Sequence, residues 1–440
     1  MDAQWTRWLP ALLKQRLHGR VGLQAVVSNA GWLLADKLFR MVLGVLVGAW
    51  VARYLGPARF GELSYVIALV AIFQIAAKLG LDGIAVRDIA RSRADAPEIL
   101  GTAFRLRVAA GLVAWGLALI SAALLRPGDT RSLLLVALIG VGLLLQAGDT
   151  IDLWFQSQIQ SRRTVTAKAL SYLIASGLRV AAVLAGASIA VFAATSALDA
   201  GLASLFLLLA YAGYKASGKW RWSGAYARSM LGESWPLLLS GLSIMVYMRI
   251  DQVMLRTLAG EAELGYFSAA LPLSEAWAMI PAVITTSLAA TFASLRQQSE
   301  ERYLRALRQL FQGLAWAALV IAILMALISP LLVRLLYGPA FERSALVLSI
   351  HVFSIIPIFL GMAQGLWIIN ERMPRVSLYK TVVGALASLA LNFALIPRFG
   401  AVGAAVSAVT SQLLSAVLAN LVLCPQVFRL QMQAFVPRIS

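Results

Sequence analysis

Residues 26–50 read VVSNAGWLLADKLFRMVLGVLVGAW, an apolar run from Val26 to Trp50 that carries Asp36, Lys37 and Arg40 near its middle. About twenty apolar residues in a helix span roughly 30 Å of hydrocarbon. A charged side chain at the centre of that layer costs about 2.5–3.5 kcal/mol, so three together need water, partners or a polar load. The helix therefore faces something other than lipid. Asp36 and Arg40 are four residues apart and share a face with Asn29, Leu33 and Gly44, with the acid N-terminal to the base as the favourable pairing requires. Lys37 points about 100° away on a regular helix. Two readings follow from the residues: a buried ion pair that fixes helix packing, or a polar wall inside a membrane bundle.

The rest of the chain repeats the pattern. Of its 440 residues, 60% are hydrophobic and 13% charged. The apolar residues fall in blocks of about twenty separated by short charged loops, as expected of an all-α integral membrane protein with almost no extramembrane domain. The net charge of +18 suggests nucleic acid in isolation, but the basic residues alternate between loops and form no single stripe. They report topology, and no nucleic-acid partner is expected. A single cysteine, Cys424, excludes an intrachain disulfide and a cysteine metal cluster. His18 and His351 lie far apart and read as solvated or packed, so neither a metal site nor a cofactor is expected.

Residues 1–25 form an amphipathic, interfacial segment: Trp5, Trp8, Leu9, Leu12, Leu13 and Leu17 share one helical face, with Arg7, Lys14, Arg16 and Arg20 around it. No small-residue cleavage site follows, so the first span is expected to stay in the protein. Twelve spans are predicted, at 26–50, 62–82, 104–125, 132–152, 167–186, 189–212, 234–256, 266–291, 309–329, 343–367, 376–396 and 401–424. The loops on the side of both termini hold 25 Lys and Arg and the opposite loops 8. Basic residues stay cytoplasmic, so both ends are expected there, in a bacterial inner membrane. The organisation predicted is an N-lobe of six spans (26–212), a cytoplasmic linker (213–233), a C-lobe of six spans (234–424) and a cytoplasmic tail (425–440).

With residues near span ends, Lys380 among them, counted with the loops, nine ionisable groups are left within spans: Lys37, Arg40, Lys78, Arg179 and Arg249, with Asp36, Asp199, Asp251 and Glu275. Facing lipid unpaired, they would cost roughly 25–30 kcal/mol, more than a fold's net stability, so they are expected to line an interior cavity. Lys78 lies near a helix end and snorkels, and Asp251 and Arg249 lie toward the outer end of theirs. The five cations are candidate substrate contacts and the four acids candidate ion-coupling groups. On the seventh span Ser240, Ser243, Tyr247 and Asp251 make a polar stripe. On the eighth, Pro272 and Pro281 flank Glu275 and break the hydrogen-bond ladder twice, as a kink or a hinge. Gly403, Ser407, Ser411 and Ser415 form a small-residue packing face on the last.

An internal repeat shows in two places. Phe60-Gly61-Glu62-Leu63-Ser64-Tyr65 echoes Leu264-Gly265-Tyr266-Phe267-Ser268-Ala269 at an offset of 204. Leu178-Arg179-Val180-Ala181 lines up with Leu391-Asn392-Phe393-Ala394 at 213, which also sets Asp199 opposite Gln412. Two parallel six-span repeats suit two rocking bundles around a midplane site. A near-match to a phosphate loop, Gly213 to Gly218-Lys219, is followed by Trp220 where Ser or Thr should hold magnesium, and it follows a membrane helix. It is rejected, which leaves an ion gradient or coupled flux to drive uphill transport. No zinc-protease, nucleophile-elbow or Cys-x-x-Cys pattern occurs, so no catalytic residue is assigned.

The stretch Ala52-Arg53-Tyr54-Leu55-Gly56-Pro57-Ala58-Arg59-Phe60-Gly61-Glu62-Leu63-Ser64-Tyr65 resembles the signature after the first helix of Wzx-type polysaccharide flippases, in the MOP exporter superfamily. Leu336-Tyr337-Gly338-Pro339-Ala340-Phe341 and Leu395-Ile396-Pro397-Arg398-Phe399-Gly400-Ala401-Val402-Gly403-Ala404-Ala405 are similar to that family's later loops. The resemblance implies twelve helices in two six-helix lobes in a MATE-like V. It also implies passage of an undecaprenyl-diphosphate-linked oligosaccharide, of the O-antigen or exopolysaccharide kind, from the cytoplasmic to the periplasmic leaflet. Independently, a glycan headgroup needs a wet polar groove, and Lys37, Arg40 and Arg179 supply partners for phosphates or sugar carboxylates. Asp36, Asp199 and Glu275 could couple protonation to lobe rocking. The partners expected are the lipid-linked glycan, membrane lipids and other assembly proteins. Competing readings are a small-molecule exporter of the same superfamily, a membrane sugar polymerase or ligase disfavoured by the short outer loops, and a scaffold, which would need no deep charges.

Overall fold

A computed structural model of the chain describes residues 21–213 and 219–435, with 21–30 described only as helical backbone. Residues 1–20, most of the expected interfacial segment, and the middle of the rejected phosphate loop lie outside these. The described residues are almost all helical, joined by short turns, with no strand among them. In chain order they form α1 (Val21–Lys78), α2 (Asp82–Arg91), α3 (Ala96–Leu125), α4 (Thr130–Leu145), α5 (Thr150–Ser157), α6 (Ser161–Leu184) and α7 (Ile189–Ala212). There follow α8 (Gly224–Ala259), α9 (Glu261–Glu275), α10 (Met279–Gln298), α11 (Glu300–Tyr337), α12 (Arg343–His351), α13 (Ile355–Asn370), α14 (Pro374–Leu413), α15 (Asn420–Leu423) and α16 (Pro425–Gln433).

Ten stretches among the described residues are long and apolar enough to cross a membrane. The twelve expected spans overlap them to within a few residues at the ends, because Gly31–Arg91 and Pro374–Leu423 each hold two. The first pair joins at Gly56 (φ 72°, ψ 169°) and the second at Gly400 (φ 56°, ψ −131°), where the left-handed φ suits a residue without Cβ. Large apolar side chains stand uncovered along the spans, such as Leu327 (73% exposed) and Val422 (82%). In water such surface would be a liability, whereas hydrocarbon solvates it. The chain is a multi-pass membrane protein.

The chain divides into two compact units, residues 1–47 with 72–242, and 48–71 with 243–440. The lobes expected at 26–212 and 234–424 are a different division: 48–71 belongs with the second unit, and the first runs through Leu242. The segment expected as a linker packs into the first unit. Arg221 N–H donates to the Pro97 carbonyl (3.0 Å), Ser223 N–H to Thr102 Oγ1 (3.0 Å), and Trp220 sits edge-on to Phe104 and Tyr211. Met230 joins a core built on Leu81, Ile89, Leu100, Trp154, Phe155 and Leu207.

Packing of the second unit explains why residues 48–71 belong to it. A Cβ at Gly61 would strike the Glu261 carbonyl and the Gly265 amide, and one at Gly265 would strike the Pro57 carbonyl. The two glycines that match at the 204 offset therefore press helix on helix, with backbones too close for any side chain. Phe341 is fully buried with its ring edge-on to Phe60 (6.0 Å) and Tyr266 (6.3 Å). Arg53 reaches Gly338, and Glu263 accepts from the Ala401 amide (2.8 Å) just past Gly400 while pairing with Arg343. The three motifs that carry the family resemblance thus meet in one packing knot.

Candidate functional site

Two polar regions lie at membrane depth, one in each unit. In the first, Asp36 and Arg40 form the expected pair at 2.9 Å, half-buried. The Arg40 guanidinium stacks over the Tyr172 ring, 5.0 Å from its centroid, and Tyr172 Oη fills the space a Cβ on Gly44 would take. Gly44, Arg40 and Asp36 share one face of α1, so the missing side chain makes room for the ring that receives the cation. Arg179 and Asp199 are within electrostatic reach of the same phenol. Arg179 Nε donates to Thr195 Oγ1 at 3.2 Å, and Ser171 Oγ lies 2.7 Å from both the carbonyl and Oδ1 of Asp199. Arg40 Nη2 is buried with no hydrogen-bond partner among the described residues. A guanidinium carries five N–H donors, and the two on Nη2 are left without a partner among the described residues. The ion pair read from residues 26–50 is present, half-buried beside Tyr172. Lys37 is exposed beside them, and Lys78 is half-buried in the last turn of α1.

Also in the first unit, Lys168 on α6 is clamped by Asp149 and Asp152, each at 2.9 Å. These carboxylates sit at the 3₁₀ turn Gln146–Asp149 and on α5, where the chain turns α4 into α5 and aims both acids at one ammonium. Gln74 donates to Gln146 at the same turn (2.9 Å).

In the second unit a cavity of about 560 Å³ opens among α8, α9, α12, α13 and α14. Tyr247, Asp251, Glu275 and Lys380 line it, with Gln412. Asp251 and Glu275, proposed from sequence as outlying and deep respectively, are brought together here, both within electrostatic reach of Arg249. Glu275 ends α9, and a 3₁₀ turn at Ala276–Ala278 leads into α10, so the helix is interrupted between Pro272 and Pro281. His351 is buried in the wall, 2.8 Å from Ser274 Oγ and edge-on to Phe267.

Lys380 was counted among loop cations in the sequence; it is only 7% exposed. Its ammonium donates to Gln364 Oε1, which also accepts from Asn420 Nδ2 (3.0 Å). Gln364 Nε2 donates back to Asn420 Oδ1 (2.7 Å), and Asn420 donates to Gln431 Oε1 (3.0 Å). Gln431 comes from α16, so part of the segment expected as a tail closes this amide knot. Two further buried cations escaped sequence reading because each lies within a few residues of a span end: Arg107 pairs with Asp82, and Arg256 pairs with Glu261 (2.8 Å) and stacks over Tyr65 (4.2 Å). A signal existed for Arg256, since an acid follows it five residues on.

Among the described residues no group of His, Cys, Asp and Glu is arranged to hold a metal ion. What the two regions offer is hydrogen bonding and fixed charge to a polar ligand.

A family model described as polysaccharide biosynthesis protein matches residues 26–296. The chain belongs to that family. Solved structures share the fold of this polysaccharide biosynthesis protein at low identity. An inward-facing multidrug resistance MATE family transporter of the MOP superfamily aligns with TM-score 0.69 and 16% identity, covering 90% of this chain and 96% of that one. Lipid II flippase MurJ in an inward closed conformation aligns with TM-score 0.69 and 11% identity, covering 91% and 90%. A MOP superfamily transporter from Pyrococcus furiosus aligns with TM-score 0.59 and 16% identity, covering 93% and 96%. No curated protein matches the chain.

Proposed function

We propose that this protein is a flippase of the Wzx kind. It carries an undecaprenyl-diphosphate-linked oligosaccharide from the cytoplasmic to the periplasmic leaflet of a bacterial inner membrane, with both termini cytoplasmic. The observation that carries the reading is the cluster of Arg40, Tyr172 and Arg179 on apolar helices of the first unit, with an uncommitted Arg40 donor. Cations held at membrane depth with spare donors suit diphosphate and acidic sugars, and the aromatic ring suits a sugar face. Family membership supports a polysaccharide pathway, and the fold shared with a multidrug transporter and a lipid II flippase supports movement of cargo across the bilayer. Lys37, Lys78 and Arg249 serve as further cargo contacts. Asp36, Asp199, Asp251 and Glu275 are the groups through which an ion gradient drives alternating access, and the interruption between Pro272 and Pro281 is the hinge. Other assembly proteins meet the cytoplasmic loops.

The test is accumulation of lipid-linked oligosaccharide in cells lacking the protein, with rescue by wild type, Arg40→Ala and Arg179→Ala at matched membrane expression. The expected result is a cytoplasmic-leaflet pool that wild type clears and both variants leave at least tenfold higher. No accumulation on deletion, with no bypass pathway, removes the flippase reading and leaves small-molecule export in its place.

A further inference from the structure

Lys168 and Lys380 stand 212 residues apart, and so do the side chains that receive them, Asp152 and Gln364. In each unit the ammonium donates to an oxygen sixteen residues earlier in the chain. The internal repeat therefore continues into side-chain geometry. What differs is charge. Lys168 meets two carboxylates at 2.9 Å. Lys380 meets an amide whose oxygen is already shared with Asn420, and the counterpart of Asp149 at the same offset is Gly361.

An ammonium has three N–H donors, and Gln364 takes one. The other two belong to a side chain on the wall of the 560 Å³ cavity, beside Ser377, Thr381 and Ser415. Asp251 and Glu275 line the same cavity with Arg249 within electrostatic reach of both, and among the described residues neither forms an ion pair with Lys380. The neutral Cys424 thiol lies near Lys380, and His351 and Tyr247 complete the titratable lining of the cavity. A cation out of water without a counter-charge is unfavourable, and a negative group brought to it relieves the cost. The cavity is large enough for a sugar acid or a phosphate ester.

We propose that the cavity of the second unit is a binding site for an acidic group, a carboxylate or phosphate, which pairs with Lys380 as Asp152 pairs with Lys168. The site does not depend on the translocation reading, because its readout is binding by the isolated protein. Thermal unfolding of the purified full-length protein is measured in neutral detergent with glucuronate, inorganic phosphate or glucose, and in nanodiscs of phosphatidylcholine with and without phosphatidylglycerol. Acidic probes are expected to raise the melting temperature and glucose to leave it unchanged. Lys380→Met should weaken the apparent affinity at least tenfold. Gln364→Glu, which gives the lysine its own carboxylate as in the first unit, should do the same while the protein stays at least as stable. Arg305→Ala, an exposed cation, should retain the effect. A shift with the free acids assigns the group to a soluble or glycan acid, and a shift only with phosphatidylglycerol assigns it to a lipid headgroup. Equal stabilisation of wild type and Lys380→Met, an unchanged response in Gln364→Glu, or no stabilisation by any acidic probe overturns the proposal.

Discussion

The two units place the same kinds of side chain at matched positions and give them different charge. At offsets of 212 and 213 in the sequence, Asp152 aligns with Gln364, Arg179 with Asn392 and Asp199 with Gln412. In each case the first unit has an ion and the second an amide. The amides keep the hydrogen bonding: Asn392 is fully buried with Ser388 (3.3 Å), Gln364 is tied into Asn420, and Gln412 lines the cavity. Amide pairs satisfy donors and acceptors in a low-dielectric setting without the desolvation cost of ions. At these matched positions the first unit therefore uses charge and the second neutral amides, although the second unit has ion pairs elsewhere, such as Arg256–Glu261 and Arg343–Glu263. Lys168 and Lys380 are the position at which both keep a cation, and only the first unit neutralises it.

The largest expected effect comes from removing that neutralisation. Asp149→Asn with Asp152→Asn leaves Lys168 as a buried ammonium between amides, the arrangement Lys380 already has. Stripping both partners from a largely buried ion costs on the order of 3 kcal/mol, somewhat reduced because Lys168 is 23% exposed. Denaturant unfolding of the purified protein measures it, and a loss below about 1 kcal/mol would mean that the first unit tolerates a bare lysine as the second does.

Replacing the lysines themselves sharpens the contrast at a smaller scale. Lys168→Met abandons two adjacent carboxylates and is expected to cost about 2 kcal/mol. Lys380→Met removes a cation that no carboxylate offsets, frees Gln364 to bond Asn420 alone, and should change stability by no more than about 1 kcal/mol, with a gain as readily as a loss. The same unfolding assay on both variants decides. Equal losses would show that the amide knot stabilises the ammonium as well as two carboxylates do.

Much of this was legible in the sequence, and the limits have physical causes. Apolar blocks of membrane length anticipated the long apolar helices, since hydrocarbon thickness sets a pattern that tertiary packing cannot hide. The i,i+4 pair Asp36–Arg40 followed from helix geometry alone. The role of Gly44 did not, because it depends on Tyr172 arriving from another helix. Lys380 was misplaced for a related reason: it sits one turn and a half into α14, close enough to a basic loop to be counted with it, and only the third dimension shows α13 and α15 closing over it. The lysine repeat was missed because each lysine has different neighbours in sequence and the match lies in sixteen-residue partner spacing. The motifs Gly56–Glu62, Gly338–Phe341 and Gly400–Ala405 were read as a family signature, and they prove to be packing: close helix approach at Gly61 and Gly265, rings around Phe341, and Glu263 at the Ala401 amide.

The smallest effect on stability should carry the largest consequence for transport. Arg179→Asn and Asp199→Gln put into the first unit the amides that the second unit uses at the matched positions. Both native side chains are half-buried, and each is held by a neutral hydroxyl, Thr195 for Arg179 and Ser171 for Asp199. An amide can make either bond, so each single substitution should cost about 0.5 kcal/mol or less. If the first unit's charges exist to hold the fold, membranes carrying either variant will clear lipid-linked oligosaccharide at the wild-type rate. If they exist to meet an acidic cargo and to answer its charge, Arg179→Asn will leave the pool uncleared while unfolding at the wild-type denaturant concentration. Asp199→Gln will then show whether the carboxylate beside it tunes the cluster around Tyr172 or only balances its charge: in the first case clearance falls with the fold intact, and in the second the double variant clears no worse than Arg179→Asn alone.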